Sequence, residues 1–355
     1  MATDNSTLAS AIGKTAEQVS DTIDSISRKN SLGAPSASVS ENLFGINQQQ
    51  TPPQIQINKD YYGFAFFTRP ELNLTSENIR SERKFTPLLS TDPDSIQRAI
   101  RCLLDPRLVK PTSKSGQTAL KSTLTDSQQA FIPILTNNLI TMSGWPDIEI
   151  PTTTSHPGMY KEEHVMVDGI TDHYAAYDIS CSFRNLPSDP ITKLLYYWSM
   201  YSSKVFEGVM VPYPDKIIEN EIDYNTRIYR LVLDSTKTKV QKIAATGAAI
   251  VGSLPIGASF DIEAGRPINN AYDQITVTFK CMGALYYDDI LIDEFNRTVA
   301  EHNDAMSDTL RPSVYQKLKQ VEYPIFNNIC YPRINPDNYD LEWWVEKGIY
   351  NSRLK

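Results

Sequence analysis

Residues 160–183 read YKEEHVMVDGITDHYAAYDISCSF, residues 189–208 read DPITKLLYYWSMYSSKVFEG, and residues 273–289 read DQITVTFKCMGALYYDD. In the first stretch Ala175, Tyr177, Ile179, Cys181 and Phe183 alternate with Tyr174, Ala176, Asp178, Ser180 and Ser182. That is the period-two pattern of a strand with one buried and one wet face. The pair Asp168-Gly169 separates this run from an earlier strand-like one at 160–167, which predicts a hairpin. In the second stretch Asp189 as cap and Pro190 in the first turn open a helix. Ile191, Leu194, Leu195, Trp198, Tyr201, Ser202 and Val205 then fall on one stripe that ends at Gly208. Burying such a stripe stabilises by about 1.5–3 kcal/mol per large side chain, so the helix is expected to seal one side of a sheet. In the third stretch Ile275, Val277, Phe279 and Cys281 alternate with Thr276, Thr278 and Lys280. With further strands expected at 228–233 and 258–262, the order predicts an α+β, mainly β protein: an antiparallel β-sandwich or barrel with a flanking helix.

Working outward from this block, 151–305, three other segments stand apart. Residues 1–55 read as an arm, rich in Ser, Thr, Asn and Gln and closing on QQQTPP. Within it Leu8, Ala11, Ile12, Thr15, Val19, Thr22, Ile23 and Ile26 recur at three- and four-residue steps, a narrow helical stripe that has to dock on something to persist in water. The same composition is compatible with an unstructured tail. Residues 56–150 read as a mixed α/β region. It holds an aromatic strand ending at Pro70, a helix opened by Asp92-Pro93 and stopped by Pro106, a polar loop at 110–116, and a second helix at 128–140. Residues 306–355, rich in Pro, Tyr and Trp, read as a C-terminal extension laid across a surface on aromatic anchors.

The 355 residues carry 34 Lys and Arg against 42 Asp and Glu, a formal charge of −8, which argues against a dedicated nucleic-acid clamp but not against DNA sliding past. Four scattered Cys without a CxxC pair point to a reducing compartment. The first residues lack a signal-peptide pattern, and the longest apolar stretch, 244–258, is broken by Gly247, Gly252, Pro255 and Gly257, so no membrane insertion is expected.

The hairpin, helix and closing strand quoted above resemble, in their order, the tail-tube proteins of contractile-tailed phages, in particular the longer tube-initiator and tube-cap-like members at the baseplate. The resemblance covers 160–300. It implies a structural virion protein whose copies join edge strands into a ring, hexameric in that family, around a lumen that passes DNA without specific binding. It also implies neighbouring tail or baseplate proteins as partners, residence in the virion, and assembly in the host cytoplasm. The hairpin at Asp168-Gly169 would then face a neighbouring subunit or the lumen, with Glu162, Glu163, Asp168 and Asp172 as acidic lining. Tyr174, Tyr196, Tyr197, Trp343 and Trp344 are the aromatic interface candidates. The alternative is a tail-fibre or receptor-binding adaptor, suggested by the many Tyr and Trp side chains.

No nucleotide loop, nucleophile elbow, zincin helix or calcium loop is present in the sequence, so no enzyme and no cofactor are expected. Gly247, Gly252 and Gly257 lack the Lys and Ser/Thr of a phosphate cradle and read as a loop. His156, His164 and His173 read as polar residues of a wet surface in preference to a zinc set. Asp288-Asp289 and Asp293-Glu294 suit the start of a helix, where negative charge is favourable.

Overall fold

A computed structural model describes residues 60–110, 119–169, 175–262 and 273–353. The first 59 residues, and with them the apolar stripe of the arm, lie outside the described residues, as do Asp172, His173 and Tyr174.

The strands in chain order are β1 (Tyr61–Phe67), β2 (Leu139–Ser143), β3 (Thr152–Thr154), β4 (Val165–Val167), β5 (Ala176–Arg184), β6 (Ile228–Leu233), β7 (Val240–Ser253), β8 (Gln274–Tyr286), β9 (Tyr315–Lys317), β10 (Tyr331–Ile334) and β11 (Leu341–Glu346). Four helices matter for packing: α1 (Ile96–Leu104), α2 (Pro190–Phe206), α3 (Ile290–His302) and α4 (Lys347–Arg353). Six strands form one open antiparallel sheet in the order β1-β6-β7-β8-β5-β2, half of a barrel, and the α+β, mainly antiparallel class is as the sequence predicts. Both margins of that sheet, β1 and β2, come from the region before residue 150.

The alternation in β5 and β8 does what its chemistry requires. Ile179 stands opposite Phe279, Cys181 opposite Val277 and Phe183 opposite Ile275, all buried. Leu194, Leu195 and Trp198 of α2 join them in one core. Trp198 keeps its indole N–H satisfied on the Tyr224 carbonyl at 2.8 Å, as a buried tryptophan must. A second core forms where Tyr229, Leu231 and Ile243 meet Phe295 and Val299 of α3. There Phe131 stacks on Phe295 at 4.9 Å and Phe66 lies 5.2 Å from the same ring.

Several expectations are corrected. The run 160–167 does not pair with 176–184. Both edges of β5 are already taken, by β8 and β2, so β4 turns back on β3 instead. The expected strand at 258–262 is a short 3₁₀ turn, Gly257–Phe260. Of the three glycines that suggested a loop, Gly247 and Gly252 stand in β7, at 14 residues the longest described strand, and Gly257 opens the 3₁₀ turn. Between the pairs Thr246–Ala284 and Ala248–Met282 stand Gly247 and Gly283. Gly283 has φ +70°, and a Cβ on Gly247 would lie 2.8 Å from the Met282 carbonyl oxygen. Glycine at both places lets the two backbones approach where the long strand passes from one core to the other.

Helix starts shift too. Ser95, not Asp92-Pro93, caps α1, its Oγ accepting from the Arg98 N–H at 3.2 Å. Asp189 takes φ 52° before α2 and accepts from Asn185 Nδ2 at 2.8 Å without capping the helix through its side chain. The helix expected at 128–140 is one turn, Pro133–Asn138, that runs straight into β2. The C-terminal residues form a three-stranded sheet, β10-β11-β9, with Leu318, Phe326 and Val345 as a small core of its own.

Candidate assembly surfaces

The chain leaves β2 through Gly144 and Trp145. Trp145 sits against Tyr177 and Tyr286, at 6.4 and 6.0 Å between ring centroids, and the Tyr286 hydroxyl donates to the Pro146 carbonyl at 2.6 Å. Past this anchored root the chain projects as the β3–β4 ribbon. Thr152 pairs with Val167, Thr153 with Met166 and Thr154 with Val165. The reversal lies at 158–162, where Gly158 N–H donates to the Glu162 carbonyl at 2.9 Å. Asp168 closes the base by donating its N–H to the Pro151 carbonyl at 2.9 Å. Every described side chain of β3 and β4 is exposed, on both faces of the ribbon. Val165, Met166 and Val167 are each about two-thirds exposed, and Ile148, Ile150 and Met159 are open as well. A two-stranded ribbon without a packed face is marginal in water, so this geometry suits a surface made to be covered.

The second surface is the open face of the main sheet. Across β5 and β8, Ser182 stands opposite Thr276, Ser180 opposite Thr278, and Asp178 opposite Lys280. Ser182 Oγ and Thr276 Oγ1 are 2.8 Å apart, and Lys280 Nζ meets Asp178 Oδ2 at 2.6 Å. The result is a hydroxyl ladder with one internal ion pair, Asp178 with Lys280, and the exposed Arg184 opposite Gln274 extends the same face.

The third is the pair of sheet margins. At its C-terminal end β1 is covered by the segment at 130–132, through Ile132 N–H to the Phe67 carbonyl at 2.9 Å and Arg69 N–H to the Ala130 carbonyl at 3.1 Å. β2 forms the opposite margin, pairing with β5 on its inner side. An open margin is a template for a further strand.

The model of the family described as "Putative phage tail tube protein" matches residues 3–355. The chain belongs to this phage tail tube protein family. Among solved structures it is similar to the tube-terminating cap of the anti-feeding prophage, at 17% identity over 44% of this chain and 81% of that one, with a TM-score of 0.27. It is also similar to the sheath/tube terminator of an extracellular contractile injection system, PVC, in the extended state, at 12% identity over 44% and 86%, TM-score 0.25. The sheath-tube complex of that system matches at 14% identity over 44% and 82%, TM-score 0.27. No curated protein matches.

In this tail tube family member the sequence candidates scatter. Glu162 and Glu163 stand exposed next to the ribbon's reversal, and Asp168 stands at its base. Asp172 and Tyr174 lie outside the described residues. Tyr197 is buried, 5.7 Å from the Phe85 ring, and so is a core residue of the isolated chain; Tyr196 beside it is half-buried. Trp344 is held by its indole N–H on Glu342 Oε2 at 3.0 Å, with the Arg311 guanidinium over its ring, while Trp343 sets its edge on Phe64 at 5.7 Å. Among the described residues no three His, Cys, Asp or Glu group as metal ligands, and His156 and His164 stand exposed on the ribbon. No described helix is long and apolar enough to cross a membrane. Sequence reasoning missed Ile148 and Ile150, although Ile148, Ile150 and Thr152 already alternate, and it missed the register that builds the hydroxyl ladder.

Proposed function

We propose that this tail protein is a tube-type ring component, whose copies close side by side around a channel and whose ribbon reaches across to the next subunit. The observation that carries the reading is the β3–β4 ribbon, rooted on Trp145 and Tyr286 yet with apolar side chains open on both faces. The sheet margins support a lateral joint, and the hydroxyl ladder suits a wall past which DNA slides without sticking. The hexameric order is taken over from the family, and neighbouring tail proteins would contact the ring above and below. A purely structural role follows, in the virion, with assembly in the host cell.

Mass photometry of the purified full chain tests this. The native protein is expected to give closed oligomers. Val165→Asp with Val167→Asp places two charges in the proposed contact, at about 2 kcal/mol or more each when buried, and is expected to leave monomers with unchanged melting behaviour. Oligomers unaffected by the double substitution would contradict the ribbon's role.

A further inference from the structure

Where α3 meets the C-terminal strands, two nearly buried guanidiniums share one exposed carboxylate. Arg311 opens the helical turn before β9, and Arg333 stands on β10. Their side chains are 9% and 12% exposed, whereas that of Asp308 is 79% exposed. Asp308 Oδ1 accepts from Arg311 Nη1 at 2.7 Å and from Arg333 Nη2 at 3.0 Å. Arg311 Nη1 also donates to the Met306 carbonyl at 3.3 Å. Arg333 has Glu342 at 3.6 Å, a carboxylate that Lys317 already holds at 2.9 Å. The Nε atoms of Arg311 and Arg333 are both buried without a hydrogen-bond partner among the described residues. A cavity of about 280 Å³ adjoins the pair and is lined by both arginines, Asp308 and Asn296. Its frame is held firmly, since Asn296 Nδ2 donates to the Ile334 carbonyl at 2.7 Å and the Ile334 N–H donates back to Asn296 Oδ1 at 2.9 Å.

We propose that this cavity binds a carboxylate from outside the chain, for which Asp308 holds the place. Buried cations need anionic, hydrogen-bonded partners, because desolvation costs them more than a screened surface pairing returns. Asp308 supplies its charge from the solvent side, where hydration competes for it, so it is readily displaced. Each guanidinium keeps an Nε–H without an acceptor, and a guanidinium fork matches the two oxygens of a carboxylate. The two side chains already converge on one carboxylate oxygen, so their spacing suits this group. Asp293 and Arg297, which also line the cavity, offset each other and leave the Arg311–Arg333 pair to set its charge. The incoming group is an acidic side chain of an adjoining protein or a free small acid. The cavity lies apart from the ribbon and the hydroxyl ladder, so the proposal does not rest on the ring.

Ligand-observed NMR titrations of the full chain test this with two probes. N-acetylaspartate amide carries one side-chain carboxylate, and succinate stands for a free acid. The native protein is compared with Asp308→Ala, with Arg333→Gln, and with Asp337→Ala, which removes an equal charge from a neighbouring exposed loop. Asp308→Ala is expected to bind about tenfold more tightly than native, as follows if Asp308 fills the fork about nine-tenths of the time. Asp337→Ala is expected to match the native protein, and Arg333→Gln to lose binding. Should Arg333→Gln fail to fold, Asp308→Ala against Asp337→Ala decides alone, since both of those side chains stand in solvent. Binding by Asp308→Ala no tighter than by Asp337→Ala, or no binding at all, would overturn the proposal. Inorganic phosphate held more tightly than either acid would overturn the choice of carboxylate. The amide binding at least as tightly as succinate assigns the site to a partner's side chain, and the reverse order assigns it to a free acid.

Discussion

Asp105 stands at the junction of α1 and the next turn, with its carboxylate accepting from the Leu74 N–H and the Tyr213 hydroxyl, both at 2.8 Å, and from the N–H groups of Arg107 and Leu108. Burial pushes its pKa up to about 6, with these donors pulling against the shift. The folded value lies above the unfolded one of about 4, so this group's contribution is fully present below pH about 4 and is lost as pH rises through about 6. Native protein and Asp105→Asn, unfolded in urea at pH 7 and at pH 4.5, should therefore diverge on acidification. The gap is expected to widen in favour of the native protein, by on the order of 2 kcal/mol, whereas a constant gap would disprove the assignment. Arg69, nearly fully buried, spends its guanidinium on the carbonyls of Cys102, Leu103, Ser127 and Gln129, so that one cation ties α1 and the 127–129 segment to the end of β1. Arg69→Met should cost about 3 kcal/mol in the same denaturation measurement, because four carbonyl contacts, those to Cys102 and Leu103 buried, are lost at once, and Arg69→Lys should recover only part of it.

At the scale of elements, β5, α2 and β8 were legible in the sequence, because each has one buried face and the alternation or stripe reports it directly: Ile179, Cys181 and Phe183; Leu194, Leu195 and Trp198; Ile275, Val277 and Phe279. The outer Ser and Thr residues were legible as a wet face for the same reason. β7 was not, because its small residues, Ala244, Ala245, Ala248, Ala249, Gly247 and Gly252, carry little hydrophobic contrast and it serves two cores along its length. The partner of β4 was hidden for a different reason: a turn signal such as Asp168-Gly169 marks where a strand stops, while the choice of partner depends on which edges of β5 are free. Gly283 tests the account of the long strands. With φ at +70°, Gly283→Ala should cost about 1–2 kcal/mol, seen as a lowered urea midpoint with unchanged m-value. No loss would mean that the β7–β8 backbones can relax there.

For the whole molecule, two cores hold one open sheet: the first with the segment before β2 and α2, the second with α3 and the C-terminal strands. Among the described residues the ribbon, the margins and the hydroxyl ladder remain uncovered; on the proposed reading another copy completes the ribbon and the margins, and the ladder faces the channel. Salt should matter little to such an assembly, because its proposed contacts are apolar or backbone-mediated, so oligomer size by mass photometry should hold between low and about 0.5 M salt. The most direct measurement is a cryo-EM reconstruction of the assembled oligomer. The account predicts a closed ring in which Ser182, Thr276 and Thr278 face an open channel and the β3–β4 ribbon lies on the neighbouring subunit. A map with those side chains packed under protein, and the ribbon free in solvent, would contradict it.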